Sequence, residues 1–177
     1  AALELLVAAL PTARLPHTMS IEEILPPIHL SVFKGQTATL ELLIKAGCDV
    51  NQADHFGRTP AFIAAREGHN EALRLLLDAG CGVSVNQGEK DGATACYIAA
   101  NEGRTAALKM LVEAGCDVNQ AAKAGVTPAY LAAKMGKTAA LELLIKAGCH
   151  VNRVNENGET PAYAAAGEGQ AAALELL

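Results

Sequence analysis

The chain has 177 residues, enough for one domain of ordinary size, and its 51% apolar and 19% charged residues argue against disorder. Aromatics are only 3%, with no Trp, while Ala and Leu dominate, which favours closely packed helices over a sheet sandwich. A net charge of −5 speaks against a nucleic-acid partner, which needs clustered Lys and Arg, and there is no apolar run of the roughly 18 residues that a membrane span requires.

The first segment, AALELLVAAL (Ala1–Leu10), reads as a helix. It has no basic leader and carries Glu4 inside its apolar run, so it makes a poor signal peptide. Between Leu10 and Pro27 the prolines Pro11, Pro16, Pro26 and Pro27 mark an irregular connection. Beyond it the chain repeats itself. LELLIKAGC stands at Leu40–Cys48 and again at Leu141–Cys149. A leucine of the same helical phrase recurs at Leu40, Leu73, Leu108, Leu141 and Leu174, in steps of 33, 35, 33 and 33 residues. A glycine recurs independently at Gly57, Gly92, Gly125 and Gly158, in steps of 35, 33 and 33. Two landmarks therefore share one period and one two-residue insertion, which falls within CGVSVNQGEKDG (Cys81–Gly92).

Each unit carries its own punctuation. Thr59, Thr127 and Thr160 stand where a helix N-cap is needed, followed by Pro60, Pro128 and Pro161 at the first helical position. The pairs Ala64-Ala65, Ala99-Ala100, Ala132-Ala133 and Ala165-Ala166 allow short helices to approach closely. Gly68, Gly103, Gly136 and Gly169 end that helix. A second helix follows, apolar at mixed three and four spacing (Ala72, Leu73, Leu76, Leu77), closed by Gly47, Gly80, Gly115 and Gly148.

A 33-residue period with two helices and a turn is the sequence signature of an ankyrin array. GRTPAFIAAREGHNEALRLLLDAG (Gly57–Gly80), GATACYIAANEGRTAALKMLVEAGCDVN (Gly92–Asn119) and GVTPAYLAAKMGKTAALELLIKAGCHVN (Gly125–Asn152) resemble that family's pattern of G-x-T-P-L-H-x-A-A, a leucine-rich helix and G-A-D-V-N. The resemblance runs from Pro26 to the end. It implies an all-α solenoid of stacked helix–turn–helix units with short β-turn fingers. The units fall at 23–55, 56–90, 91–123 and 124–156, with a partial repeat and irregular connection at 1–22 and a partial repeat at 157–177. Both termini lie inside apolar helices, so an excerpt from a longer array is expected. The family histidine survives only as His29 and is replaced by Phe62, Tyr97, Tyr130 and Tyr163, which leaves aromatic packing to join those repeats. The finger holding the insertion should be the longest.

Catalytic and metal readings find little support. Cys48, Cys81, Cys116 and Cys149 follow the helix-ending glycines in successive repeats, and a metal or redox array competes there with a small buried hydrophobe. Stacked layers lie about 8–10 Å apart, whereas a disulfide needs Cα atoms within about 7 Å and zinc needs converging thiolates. One cysteine per layer meets neither need, and Cys96 reads as core. No nucleophile or metal-protease motif occurs, so no enzyme, cofactor or metal site is expected. Five Cys without an export signal point to reduced thiols in the cytoplasm or nucleus.

The resemblance then implies that function lies on a concave face lined by finger tips and first helices. By position the tips are His55, Phe56 and Arg58; Lys90 and Asp91; Lys123; Glu156 and Asn157. The helix positions include Phe33, Arg66, Glu67, Asn101, Lys134 and Met135. Phe33, Phe56 and Met135 are either interface anchors or local packing, and His55 is either a contact or a solvated tip. The expected activity is binding of a protein partner by a monomer, without nucleic acid or membrane. The alternative is a regulatory or targeting segment of a larger enzyme or channel.

Overall fold

The computed structural model describes residues 25–80 and 85–177. The expected helix at Ala1–Leu10, the connection up to residue 24, and Cys81 lie outside the described residues. Within them are ten α-helices, which alternate as first and second members of five pairs. The first helices are α1 (Pro27–Phe33), α3 (Pro60–Glu67), α5 (Ala95–Glu102), α7 (Pro128–Lys134) and α9 (Pro161–Gly167). The second helices are α2 (Thr37–Lys45), α4 (Asn70–Asp78), α6 (Thr105–Glu113), α8 (Thr138–Lys146) and α10 (Ala171–Leu174). Each first helix packs on its own second helix and on the first helices of its neighbours. The second helices contact one another in a row of their own.

Local chemistry sets the starts of α3, α5, α7 and α9. The Oγ1 atoms of Thr59, Thr94, Thr127 and Thr160 accept from the amides of Phe62, Tyr97, Tyr130 and Tyr163 at 3.1–3.2 Å, satisfying amides that the helix leaves unpaired. Thr94 keeps its cap although Ala95 replaces proline at the next position. At the other end the second helices close in Schellman turns. Cys48, Cys116 and Cys149 donate their amides to Leu43, Leu111 and Leu144 at 3.0 Å, past glycines with φ near +84° at Gly115 and Gly148. Such a turn favours an apolar contact between its last residue and the helix. A cysteine, half-buried against the hydrophobic core, answers that requirement.

The core is a column of small and branched side chains between the two helix rows. Ala64, Ala65, Ala99, Ala100, Ala132 and Ala133 are fully buried where first helices meet, and Leu40, Leu73, Leu76, Leu108, Leu111, Leu141 and Leu144 fill the space behind them. The close helix spacing is used by the residue after each first-helix glycine. His69 Nε2 lies 3.2 Å from the Phe33 carbonyl, and Arg104 Nε donates to the Arg66 carbonyl at 3.2 Å, so each side chain caps the helix of the previous repeat. It lies across that repeat's glycine. A Cβ on Gly35 would come within 2.9 Å of His69, and Gly35 itself has φ +64°.

The aromatic replacements behave differently along the stack. His29 still joins repeats, its Nε2–H donating to the Arg58 carbonyl at 2.9 Å. Tyr130 is buried and its hydroxyl donates to Glu159 of the next repeat at 2.8 Å. Burial and that hydrogen bond push its phenol up to about 12. Tyr163, with no repeat stacked on it among the described residues, is 65% exposed.

The finger expected to be longest is not longer at its tip. Val85 to Gly92 spans the same interval as Val50 to Gly57, and Glu89 pairs with Ala93 as Asp54 pairs with Arg58, through amide-to-carbonyl bonds of 2.9 Å. The two extra residues therefore lie between Cys81 and Val85, four positions apart where Cys48 and Val50 are two apart, and still within the Cys81–Gly92 segment.

One finger is built from poorer material. Asp54 and Asn155 anchor theirs with side-chain oxygens, but the equivalent residue of the third finger is Ala122, and its tip residue Ala124 adopts φ +60°, ψ +19°. A left-handed alanine costs about 1 kcal/mol. Ala124→Gly should therefore raise stability by about 0.5–1 kcal/mol. A shift of the urea midpoint with an unchanged slope would show it, and an unmoved midpoint would contradict it.

Candidate functional site

The fingers form a continuous ridge because each is bonded to the next. The amides of Lys90, Lys123 and Glu156 donate to the carbonyls of Phe56, Asp91 and Ala124, at 3.1, 2.8 and 2.9 Å. Close approach is enforced by glycine: a Cβ on Gly57 would sit 3.2 Å from the Lys90 nitrogen, and one on Gly125 would sit 3.3 Å from the Glu156 nitrogen. With the backbone groups paired inward or along the ridge, the tip side chains are left to face solvent.

The first tip is the most elaborate. Asp54 is buried and its Oδ1 accepts from the amides of Phe56 and Arg58, each at 2.9 Å. Its Oδ2 receives Arg58 Nε at 2.8 Å and Nη2 at 2.7 Å. Burial alone would raise the Asp54 carboxyl, but the Arg58 guanidinium and the two amides outweigh it and hold the group below its ordinary value of 3.8. The same guanidinium lies 4.6 Å from the centre of the Phe56 ring, and the His55 ring centre lies 3.8 Å from it at a tilt of 46°. Phe56 remains 44% exposed. This is a fixed aromatic knob on a charged footing.

The remaining expected residues divide in two. His55, Lys90, Asp91, Lys123, Glu156 and Asn157 are exposed on the ridge, with Lys123 Nζ 3.5 Å from Asp91 across adjacent fingers. Met135 is 48% exposed at the end of α7, and Lys134 beside it lies 3.9 Å from Glu168. Arg66 and Glu67 pair with each other at 2.7 Å and are partly exposed, while Asn101 donates to Glu102 at 2.9 Å. Two residues are taken up by the fold instead. Phe33 is half-buried against the core, and the Arg58 side chain is only 14% exposed because Asp54 holds it.

Sequence reasoning passed over the anchors beneath the tips. Asp54 and Asn155 each bond amides two and four residues ahead, Asn155 Oδ1 taking those of Asn157 and Glu159 at 2.9 Å. The signal was present: a side chain able to accept a hydrogen bond recurs at Asp54, Glu89 and Asn155, always three residues before the finger glycine. Val154, 52% exposed next to Asn155, also joins the apolar surface near the last finger.

Among the described residues no three His, Cys, Asp or Glu side chains converge as metal ligands, and no helix is long and apolar enough to cross a membrane. The ridge offers charged side chains and the exposed rings of Phe56 and His55, which suits recognition of a large surface.

Comparison with known proteins agrees with this architecture. A family model described as ankyrin repeats (3 copies) matches residues 28–122, and another described as ankyrin repeats (many copies) matches residues 129–177. Mouse protein phosphatase 1 regulatory subunit 12A is 48% identical over 54 residues, which is 30% of this chain and 5% of that protein. Human protein phosphatase 1 regulatory subunit 27 is 36% identical over 56 residues, 32% of this chain and 36% of that protein. Chicken NF-kappa-B inhibitor alpha is 40% identical over 50 residues, 28% of this chain and 16% of that protein. The chain thus matches only a minor part of the length of each of these relatives. The two matched segments together take in most of its sequence, and the chain belongs to the ankyrin-repeat family.

Proposed function

We propose that the chain is a protein-recognition module that binds a partner protein along the concave ridge of finger tips and first helices, without chemistry of its own. The observation that carries this reading is the backbone-bonded ridge from Phe56 to Glu156, which holds exposed and mutually different side chains on an otherwise repetitive frame. A rigid frame loses little entropy on binding, so many weak contacts add up. Phe56 is the natural anchor, with Lys90, Lys123, Lys134 and Met135 around it. The relatives named as regulatory subunits and as an inhibitor are proteins named for control of another protein, which supports the same reading. They also support a second one, in which the array is the regulatory or targeting segment of a larger enzyme.

The test compares three chains in affinity capture from cell lysate: the parent, a ridge variant (Phe56→Ala, Lys90→Ala, Lys134→Ala) and an outer-row variant (Glu71→Ala, Arg74→Ala, Lys109→Ala). Arg58 is left intact because it holds the finger together. A protein bound by the parent and the outer-row variant should bind the ridge variant at least about thirtyfold more weakly, the loss of one central anchor of about 2 kcal/mol. Equal binding by all three would overturn the ridge as the binding face.

A further inference from the structure

Eight asparagines stand in the chain, and seven of them precede a residue with a side chain. Asn157 alone precedes a glycine, Gly158. The dipeptide occupies the tip of the last described finger, in the register held by Phe56-Gly57, Asp91-Gly92 and Ala124-Gly125. In those three fingers the tip is locked by the next one. The carbonyls of Phe56, Asp91 and Ala124 accept the amides of Lys90, Lys123 and Glu156. A Cβ placed on Gly57, Gly92 or Gly125 would stand 3.2, 3.5 or 3.3 Å from the neighbouring finger's backbone. The last described finger has neither restraint. Among the described residues no backbone amide donates to the Asn157 carbonyl, and a Cβ on Gly158 would meet nothing within 4 Å. Asn157 and Gly158 are both exposed.

We propose that Asn157 is a modification site, whose side-chain amide is converted to a carboxylate by attack of the neighbouring Gly158 nitrogen. Gly158 carries no side chain to hinder the approach. Its nitrogen attacks the side-chain carbonyl carbon of Asn157, and a new carbon–nitrogen bond closes a five-membered imide. The Gly158 amide proton passes through solvent to the departing nitrogen, which leaves as ammonia. Water then opens the ring at either carbonyl, giving aspartate or the β-linked isoaspartate. One water is consumed and one ammonia released, so atoms balance and no oxidant is needed. The turn sets the rate. The Gly158 amide donates to the Asn155 carbonyl at 3.0 Å, and the Asn157 amide donates to Asn155 Oδ1 at 2.9 Å, so the finger must open before the attack. A finger bonded to one neighbour opens at lower free energy than a finger bonded on both sides. The product places a new negative charge beside Glu156 and Glu159. Its β-linkage also lengthens the stretch of backbone that Asn155 Oδ1 spans from Asn157 to Glu159. This chemistry is independent of the ridge's role as a binding face.

The test incubates the whole chain at body temperature and mildly alkaline pH, folded in buffer and, in parallel, unfolded in guanidinium. Trypsin releases Val154–Leu177 as one peptide, and electron-transfer fragmentation of it locates the conversion and separates isoaspartate from aspartate. The expected products in the folded chain are isoaspartate and aspartate at Asn157, formed more slowly than in guanidinium. Asn155, which is buried and has its side chain bonded, should stay intact in the folded chain. Asn157→Gln should stay intact in both states, because its longer side chain would have to close a six-membered ring. Asp91→Asn places the same dipeptide in a locked finger, and that site should convert at least about tenfold more slowly than Asn157 in the folded chain. An unchanged Asn157 in the folded chain, once the guanidinium sample has fully converted, would overturn the proposal. Equal rates at the two fingers would overturn the part played by the unlocked position. Circular dichroism of each variant before incubation separates a change in reactivity from loss of the fold.

Discussion

Asp54→Ala should cost the protein about 3–5 kcal/mol, the loss expected when one member of a buried ion pair is removed. The substitution strands the Arg58 guanidinium, whose side chain is only 14% exposed, and it removes the acceptor for the amides of Phe56 and Arg58. It also loosens the Arg58 carbonyl that receives His29 of the preceding repeat. Asp54→Asn should cost less, because Asn155 shows that a carboxamide can hold the same pair of amides in another finger. Equilibrium urea unfolding of the two variants separates the charge from the turn. Equal losses would mean that the turn alone matters.

The same cluster sets an acid limit on stability. The folded Asp54 carboxyl lies below its ordinary value of 3.8, so its contribution is complete above the unfolded value and disappears as pH falls through the folded one. His29 acts at a higher pH. Burial is the main cause holding its imidazole below the ordinary 6.5, and its amide-like bond to the Arg58 carbonyl and the Asp54 charge only partly offset this. The unfolded chain therefore takes up a proton first, and stability present above about pH 6.5 is lost as pH falls through the folded His29 value. Urea midpoints should begin to fall below neutrality and fall again near the carboxylate range. A flat profile down to the carboxylate range would contradict the His29 assignment.

The second large effect lies in the core. Leu108 is fully buried in the middle of the stack, and Leu108→Ala should cost about 2–5 kcal/mol through lost transfer energy and the cavity left behind. Leu174 occupies the same register in the last repeat but is 39% exposed, so Leu174→Ala should cost less than about 1 kcal/mol. Since each repeat touches only its neighbours, weakening the central one should also divide the array, and unfolding should broaden or separate into two steps. A single sharp transition with equal losses at both positions would mean that the stack behaves as one indivisible unit.

Most of the frame was legible because each repeat states it again. Thr-Pro, Ala-Ala and the two glycines mark helix starts, contacts and ends by local chemistry, and four copies remove ambiguity about the period. What escaped was decided by partners that lie close in space but are not marked by any periodic pattern. Arg58 looked like a free tip cation, yet Asp54 four residues earlier in a hairpin faces back and takes it. Phe33 looked exposed by position, but the core reaches it.

The most direct measurement of the central claim is amide hydrogen exchange of the chain alone and with its captured partner. Binding along the ridge predicts slowed exchange around Phe56–Arg58, Lys90–Asp91 and Lys123–Ala124 and in the neighbouring ends of α3 and α7, with α4, α6 and α8 unchanged. Protection confined to those outer helices, with the finger tips exchanging as they do in the free chain, would contradict it.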